Sequence, residues 1–212
     1  MQNIDQNKPL LNKPVLAVFI IAFTLTASQL QAGEPTEQVR TTTNKVLEVL
    51  TKPELQGKKK QDARHSKVRE VVDQRFDWTA MCRRALGRHW RGKTEKQRRE
   101  FVELFGILLE RRYMDKIDNY SGQKVVYQDE KIDDGYAQVD VAIITEDNKE
   151  INVQYRLQEK GKAWLVYDIV VEGVSMVNNY RAQFNSLLGR SSFAELLERL
   201  RKKNKSYSKQ ED

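Results

Sequence analysis

The spacing of apolar residues changes after Ser121-Gly122, and this change constrains the fold more than any other feature of the chain. Before it, apolar residues recur every three or four positions, which is typical of one face of a helix. After it, they alternate with polar residues, which is typical of a strand. Four alternating segments follow, and they span Lys124–Ile132, Tyr136–Thr145, Ile151–Gln158 and Ala163–Val171. Because short turns join them in sequence, we predict an antiparallel meander that needs helices over one face.

Helical patterns flank the predicted sheet on both sides. Val39–Thr51 has helical spacing that Pro53 ends, and Asp77 is positioned to cap the segment WTAMCRRALGRHW. A capping box, Thr94–Gln97, precedes an apolar stripe that reaches Tyr113. Between these helices, the basic run GKKKQDAR is predicted to be a solvated face or a loop.

The segment WLVYDIVVEGVSMVNNYRAQF, residues Trp164–Phe184, runs from the last strand directly into an amphipathic helix. A second capping box, Ser192–Glu195, opens the final helix. We therefore predict an α+β fold with N-terminal helices, a four-stranded antiparallel twisted sheet, and C-terminal helices that enclose an apolar pocket.

Residues 1–32 have the features of a secretion signal. Lys8 and Lys13 supply the positively charged N-terminal region. The apolar core Val15–Ala27 is shorter than a bilayer-spanning helix, which needs about 20 apolar residues. We expect cleavage after Ala32, with an uncleaved membrane anchor as the alternative. The predicted domain then covers residues 33–205 and is followed by a polar tail, residues 206–212.

Composition limits the partners and the chemistry. The formal net charge is +7, which outside the cytoplasm favours anionic head groups or an acidic protein surface over nucleic acid, although it can also serve solubility alone. The single cysteine, Cys82, cannot form an internal disulfide. We find no phosphate loop, dinucleotide fingerprint, zinc-protease motif or nucleophile elbow. Two carboxylates with apolar neighbours, Asp140 and Asp168, remain as candidate pocket acids.

Three strings carry a resemblance to a known family. MCRRALGRHWR, RREFVELFGILLERRY and WLVYDIVVEGVSMVNNYRAQFNSLL resemble the corresponding parts of the MlaC-type periplasmic phospholipid carriers, also called the toluene-tolerance family. The last string is the most specific, and the resemblance extends over the whole predicted domain.

This resemblance implies a monomeric carrier, not an enzyme, in the periplasm of a Gram-negative bacterium. Its cargo would be a glycerophospholipid whose acyl chains enter an apolar cavity between sheet and helices. Its partners would be an outer-membrane lipoprotein–porin complex and an inner-membrane MCE-domain ABC transporter complex, and its role would be to maintain outer-membrane lipid asymmetry. We expect no cofactor, no metal and no nucleic acid.

The apolar patterns suggest which side chains would line the cavity. One helix, the inward strand faces and the final strand–helix unit supply them: Phe105, Leu108, Leu109, Tyr113, Val139, Val141, Ile143, Val153, Tyr155, Trp164, Val166, Val174, Val177 and Tyr180. Four arginines form a candidate mouth or docking patch: Arg83, Arg84, Arg88 and Arg91.

Two other functions fit the sequence less well. An enzyme of the ketosteroid-isomerase-like kind would use Asp140 or Asp168 as a pocket base. A basic module for an anionic polymer would bind with strong salt dependence. Neither explains why both helices and strands carry so many apolar residues.

Overall fold

A computed structural model describes residues 33–208, except for the side chains of residues 113, 115, 116, 207 and 208. The predicted signal segment therefore lies outside the described residues. In chain order the elements are α1 (Glu34–Thr51), α2 (Gln61–Asp73), α3 (Trp78–Leu86), α4 (Glu95–Asp118), β1 (Lys124–Asp133), β2 (Tyr136–Ile144), β3 (Glu150–Lys160), β4 (Ala163–Val171), β5 (Val174–Ser175), α5 (Met176–Leu188) and α6 (Phe193–Ser208). None of the helices within residues 33–208 has the length and apolarity needed to cross a bilayer.

The predicted α+β class and the antiparallel meander are confirmed. The strands lie in the order β1-β2-β3-β4-β5, each antiparallel to the next. The sheet has five strands instead of four because Glu172 and Gly173 both take positive φ values, of 48° and 76°. Two such residues in succession form the tight turn that suits a hairpin, and here they fold the short β5 back onto β4.

The predicted caps are present. Asp77 accepts a hydrogen bond from the Ala80 amide at 2.8 Å, which starts α3. The same residue donates its own amide to the Val166 carbonyl of β4 at 2.9 Å. Thr94 and Gln97 exchange the two bonds of a capping box at the start of α4. The link between α2 and α3 is thus fixed to the sheet through backbone hydrogen bonds.

The basic run is largely exposed, which agrees with a solvated face, and it forms a 3₁₀ helix, Lys58–Lys60, and the start of α2 instead of a loop. The first residues of the predicted polar tail belong to α6, which extends to Ser208. Asn204 in this helix is buried, and its side-chain amide donates to the Leu104 carbonyl of α4 at 2.9 Å. α6 therefore packs on α4 beyond the point where its sequence turns polar.

The buried apolar residues form two clusters. The helical core joins α3, α4, α5 and α6 around four aromatic rings, Phe101, Phe105, Tyr180 and Phe184, with ring-centre distances of 4.8 to 5.7 Å. Cys82 lies in this core, and burial raises the pKa of its thiol, so it is a packing residue. The sheet core joins the inner face of the sheet to α1 and consists of Val39, Ala137, Val139, Val141, Leu157, Trp164 and Val166.

Asp168 connects the sheet to α5. Its buried carboxylate accepts hydrogen bonds from the Val177 amide at 3.0 Å and the Ser175 hydroxyl at 2.6 Å, and it pairs with Arg156. A carboxylate at this position also interacts favourably with the positive end of the helix dipole. Asp168 is therefore occupied by a structural role at the start of α5.

Asp118 holds the end of α4 against α2. Its carboxylate accepts hydrogen bonds from Arg64 at 2.9 Å and from Gln61 at 3.2 Å, and it contacts the His65 ring at 2.6 Å. Burial acts to raise the pKa of Asp118, but the bonds from Arg64 and His65 outweigh it, so the pKa lies below its ordinary value. The seam between α2 and α4 thus depends on an ionised carboxylate.

This lowered pKa predicts acid sensitivity. The stabilisation by Asp118 is complete above the ordinary carboxyl pKa of about 3.9 and is lost as pH falls through the lower folded-state value. We expect Asp118→Asn to lower the free energy of urea unfolding at pH 6, and this loss to shrink as the pH falls below about 4. Glu103→Gln, an exposed carboxylate of the same helix, is the control. A loss that is the same at pH 6 and pH 3 would contradict this account.

A second prediction compares two aspartates. Asp168→Asn removes an acceptor from Ser175 and Arg156 in a buried site, which should cost about 2 kcal/mol in urea unfolding. Asp140 is only half-buried and accepts from the side chains of Gln138 and Gln154, so Asp140→Asn should cost about 1 kcal/mol or less. Equal costs would show that Asp168 does not hold α5 to the sheet.

Candidate ligand-binding site

The residues predicted to line a cavity fall into two separate groups. Those of α4 and α5 lie in the helical core: Phe105, Leu108, Leu109, Val177 and Tyr180. Those of the strands belong to or pack against the sheet core, or share its face: Val139, Val141, Ile143, Val153, Tyr155, Trp164 and Val166. Val174 is 60% exposed beside the turn after β4, and the side chain of Tyr113 is not among those described.

Burial on the inner face of the sheet decreases from one end to the other. Leu157, Val166 and Val139 are completely buried. Further along the same face, Ile143 pairs with Val125 on one side and Ile151 on the other, and all three are only half-buried. The sheet therefore presents apolar side chains that are incompletely covered towards the turn between β2 and β3.

α1 covers this face unevenly because it is fixed at its first half. Glu130 of β1 accepts a hydrogen bond from the Thr36 amide at 2.7 Å, which satisfies one of the free amides at the helix start. Gln38 donates to the Lys162 carbonyl at 3.0 Å and accepts from the Trp164 amide at 2.9 Å. Arg75 donates to both Gln38 and the Trp164 carbonyl. These bonds tie residues 36–38 to the sheet.

Beyond residues 36–39, α1 has looser contacts with the sheet. Arg40 lies over the ring of Tyr127 at 4.1 Å, and Thr43, where the second half begins, lies beside the Tyr127 hydroxyl. Helical spacing places Val46 and Leu50 on the same side as Val39 and Thr43. Both are apolar and half-buried, whereas Val39 is fully buried. Coverage of the inner face thus weakens from the start of α1 to its end.

We call the incompletely covered region the inner cleft. It is defined by the half-buried inner-face side chains Val125, Tyr127, Ile143, Ile151 and Tyr155. Val46 and Leu50 of α1 are assigned to it because they lie on the same side of the helix as Val39. Burial raises the pKa of Tyr155 to about 12. Burial also raises the pKa of Tyr127, although Thr43 and Arg40 act in the opposite direction. Both phenols therefore stay neutral at physiological pH, and these seven side chains form an uncharged, apolar lining.

The cavities that the described residues form include three of about 300 to 330 Å³. One of about 320 Å³ lies at the end of α1, where Leu50 and Tyr120 meet the polar side chains of Lys58, Gln61 and Arg64. Another, of about 330 Å³, lies on the outer face of the sheet and includes Asp140 and Gln154. These volumes are at the lower limit of ordinary ligand pockets, and of the inner-cleft residues only Leu50 lines any of the three.

Neither candidate pocket acid faces the inner cleft. Asp168 pairs across the sheet with Arg156, and Asp140 with Gln154, at positions that alternate with the inward Tyr155. Their partners are the start of α5 and two glutamine side chains. The candidate arginine patch also lies elsewhere, because Arg84 stacks on Tyr167 at 3.9 Å and its helix packs against α5.

Sequence reasoning missed part of the cleft. Val125, Tyr127 and Ile151 were in the alternating pattern but were not among the predicted lining residues, although strand register places them beside Ile143 and Val141. The spacing of Val46 and Leu50 relative to Val39 was the corresponding signal in α1. The apolar stripe of α4 was predicted to line the cavity, because a packed core and a cavity wall have the same apolar pattern. In the structure its residues Phe105 and Leu109 pack within the helical core.

Comparisons with known proteins agree with this architecture. The chain is 28% identical over 122 residues to the intermembrane phospholipid transport system binding protein MlaC of Haemophilus influenzae, a match that covers 55% of this chain and 57% of the relative. The match thus spans little more than half the length of that protein. The chain is also 25% identical over 178 residues to the toluene tolerance protein ttg2D of Pseudomonas putida, covering 83% of this chain and 82% of the relative.

A solved structure extends the likeness to three dimensions. The phospholipid-binding protein from Ralstonia solanacearum, determined in complex with a phospholipid, superposes with a TM-score of 0.73 at 25% identity. The match covers 83% of this chain and 99% of that chain. A family model described as MlaC protein matches residues 40–202, which is most of the described part of the chain. The protein therefore belongs to the MlaC family.

Proposed function

We propose that this protein is a periplasmic carrier that binds the acyl chains of a glycerophospholipid in the inner cleft. The observation that carries the proposal is the incompletely covered apolar face formed by Val125, Ile143 and Ile151. A soluble domain normally covers such a face, because exposed apolar area is costly. Family membership and the phospholipid bound by the Ralstonia relative support a lipid as the ligand.

The physical task of such a carrier is to remove the hydration cost of hydrocarbon. Each methylene that leaves an apolar environment for water costs about 0.8 kcal/mol, so some thirty methylenes cost on the order of 25 kcal/mol. The carrier does not need to bind more strongly than a bilayer does. It needs a cleft that is nearly as apolar, so that loading and unloading are almost balanced. Aliphatic side chains and neutral phenols meet this requirement without a charged binding motif.

Loading requires the cleft to widen, and the hydrogen bonds of α1 indicate how. The bonds of Thr36 and Gln38 hold the first half of the helix. In its second half, Thr43 lies beside the Tyr127 hydroxyl, and Val46 and Leu50 are only half-buried. We infer that acyl chains enter by displacing this second half while the sheet core around Val39 stays packed. The head group then remains near the end of α1, outside the apolar space.

The same proposal accounts for the cellular role. A carrier with a balanced cleft can exchange lipid between an outer-membrane lipoprotein–porin complex and an inner-membrane MCE-domain ABC transporter complex. Moving phospholipid between these complexes would help to maintain outer-membrane lipid asymmetry. Catalysis has no part in this scheme, since Asp140 and Asp168 lie on the other face of the sheet and have structural partners. We propose that the carrier acts as a monomer and that its signal segment directs it to the periplasm.

The first test is the lipid content of the protein. We expect the secreted protein, purified from a Gram-negative host without detergent, to release phospholipid into an organic solvent extract. Mass spectrometry of the extract identifies the lipid and its ratio to protein. A periplasmic protein of similar charge, purified identically, controls for carry-over. Protein from the native host that contains no more phospholipid than this control would refute the proposed function.

The second test fills the cleft. Ile143→Trp adds a large side chain to the half-buried inner face, so it should reduce bound phospholipid at least fivefold while leaving the fold intact. Val126→Trp is the matched control, since Val126 lies on the neighbouring strand with its side chain on the opposite face and is 45% exposed. Lipid per protein is measured by mass spectrometry, and folding by urea unfolding. If the Ile143→Trp variant bound the normal amount of phospholipid, the inner cleft would not be the binding site.

A further inference from the structure

The positive charge of this chain is concentrated in two segments that contain no carboxylate. Residues 78–93 and residues 173–194 lack aspartate and glutamate entirely. Their cations are Arg83, Arg84, Arg88, Arg91, Lys93, Arg181 and Arg190. The chain has 37 lysines and arginines against 30 aspartates and glutamates, so these seven cations equal its whole net excess of +7. The remainder of the chain is therefore neutral in total.

The fold brings the two segments onto one surface. The first contains α3 and the 3₁₀ helix Gly87–Trp90, and the second contains α5. Gly87 lies directly against the Arg181 guanidinium, since a Cβ atom at Gly87 would be 3.0 Å from its Nε. The His89 ring contacts the Asn185 side chain at 3.2 Å, which joins the 3₁₀ helix to the later part of α5. We call this surface the basic face.

The arginines of the basic face are available to a partner. Five of them are exposed, and among the side chains that the structure describes none of the five forms an ion pair: Arg83, Arg88, Arg91, Arg181 and Arg190. Several arginines elsewhere pair with a carboxylate of their own helix, as Arg40 does with Glu37 and Arg199 with Glu195. Residues 78–93 and 173–194 supply no carboxylate for such a pair, which leaves a concentrated positive field on this surface.

We propose that the basic face is a docking surface for an acidic protein surface on the membrane complexes with which this carrier exchanges lipid. The identity of those complexes rests on the proposed function, whereas the chemistry of the face does not. Arginine predominates over lysine there, and its planar guanidinium can bind a carboxylate through two hydrogen bonds. Arginine is also enriched at protein–protein interfaces.

A direct attachment to the bilayer fits the face less well. Segments that lie in a membrane surface expose large apolar side chains beside their cations. The exposed large apolar residues of the described chain lie on β1, on β2 and beside the turn after β4: Val126, Ile132, Tyr136 and Val174. Of these four, only Val174 falls within the two carboxylate-free segments, and it precedes α5 beside the turn after β4. The helices α3 and α5 and the 3₁₀ helix between them in the surface therefore offer charge and hydrogen bonds without an exposed large apolar side chain.

The test compares two charge-reversed variants of the full secreted protein. In one, Arg83, Arg88 and Arg181 are replaced by glutamate; in the other, Lys59, Lys203 and Lys205, which are exposed and lie outside the two carboxylate-free segments, are replaced by glutamate. Both carry the same change in net charge. Binding to the purified MCE-domain transporter complex and to the purified lipoprotein–porin complex is measured by biolayer interferometry at several salt concentrations. Vesicles that contain phosphatidylglycerol serve as the membrane probe.

We expect the arginine variant to bind at least one complex tenfold or more weakly, with the lysine variant within twofold of the wild type. Wild-type affinity should fall as salt rises. Equal weakening by both variants, unchanged binding by the arginine variant, or loss confined to the vesicles would overturn the proposal, as would a wild-type protein that binds neither complex. Glutamine replacements at the same arginines repeat the test if the glutamate variant does not fold.

Lipid content separates this inference from the proposed function. The arginine variant should retain its bound phospholipid, since the basic face does not include the inner cleft. A wild-type protein that binds the complexes but contains no lipid would refute the carrier proposal and leave the docking surface supported. A protein that contains lipid but docks through another surface would support the carrier proposal and refute the docking surface.

Discussion

The structure depends on how the inner face of one antiparallel sheet is covered. A sheet with an apolar face must bury it, and here the first half of α1 does so through Val39 and a set of hydrogen bonds around Gln38. The second half of the helix has no comparable anchor. Coverage is therefore complete at one end of the sheet and partial at the other. The inner cleft is a direct result of this asymmetry.

Polar interactions fix the elements around the cleft, and apolar packing stabilises the helical core. Asp168 anchors α5 to the outer face, Asp118 joins the end of α4 to α2, and Glu130 binds the start of α1. The helical core around Phe101 and Phe105 packs independently of the inner face. A domain built in this way can let one segment of α1 move without loosening its main core. That separation is what a carrier requires, because the cargo enters and leaves repeatedly while the protein stays folded.

Binding and docking are assigned to different sides of the molecule. The inner cleft is apolar and uncharged, so it can make the same contacts with any hydrocarbon chain. The basic face is strongly charged and lies on α3 and α5, which pack against the opposite side of β4. A cleft without charge gives little discrimination among acyl chains, so specificity for the transport route must come from the surface that meets the partners. If both proposals hold, the two surfaces together give a carrier that is permissive towards its cargo and selective towards its partners.

The sequence by itself determined the class of the fold, most element boundaries and the caps. These features are local: alternation defines a strand, three-to-four spacing defines a helix, and the side chains of Asp77 and Thr94 bond to amides three residues away. The family resemblance lies in contiguous strings of residues, so it too could be identified from the sequence alone. The fifth strand was missed because it consists of only two residues after a turn.

Only the tertiary structure decided which apolar residues pack and which remain open. Phe105 and Ile143 have the same apolar character, yet the first is enclosed by other helices and the second is only half-buried near the turn between β2 and β3. The same holds for charge, because the two carboxylate-free segments are about eighty residues apart in the chain and become one surface through packing. Burial and charge density depend on neighbours from distant segments, and a local pattern contains no information about which segments those will be.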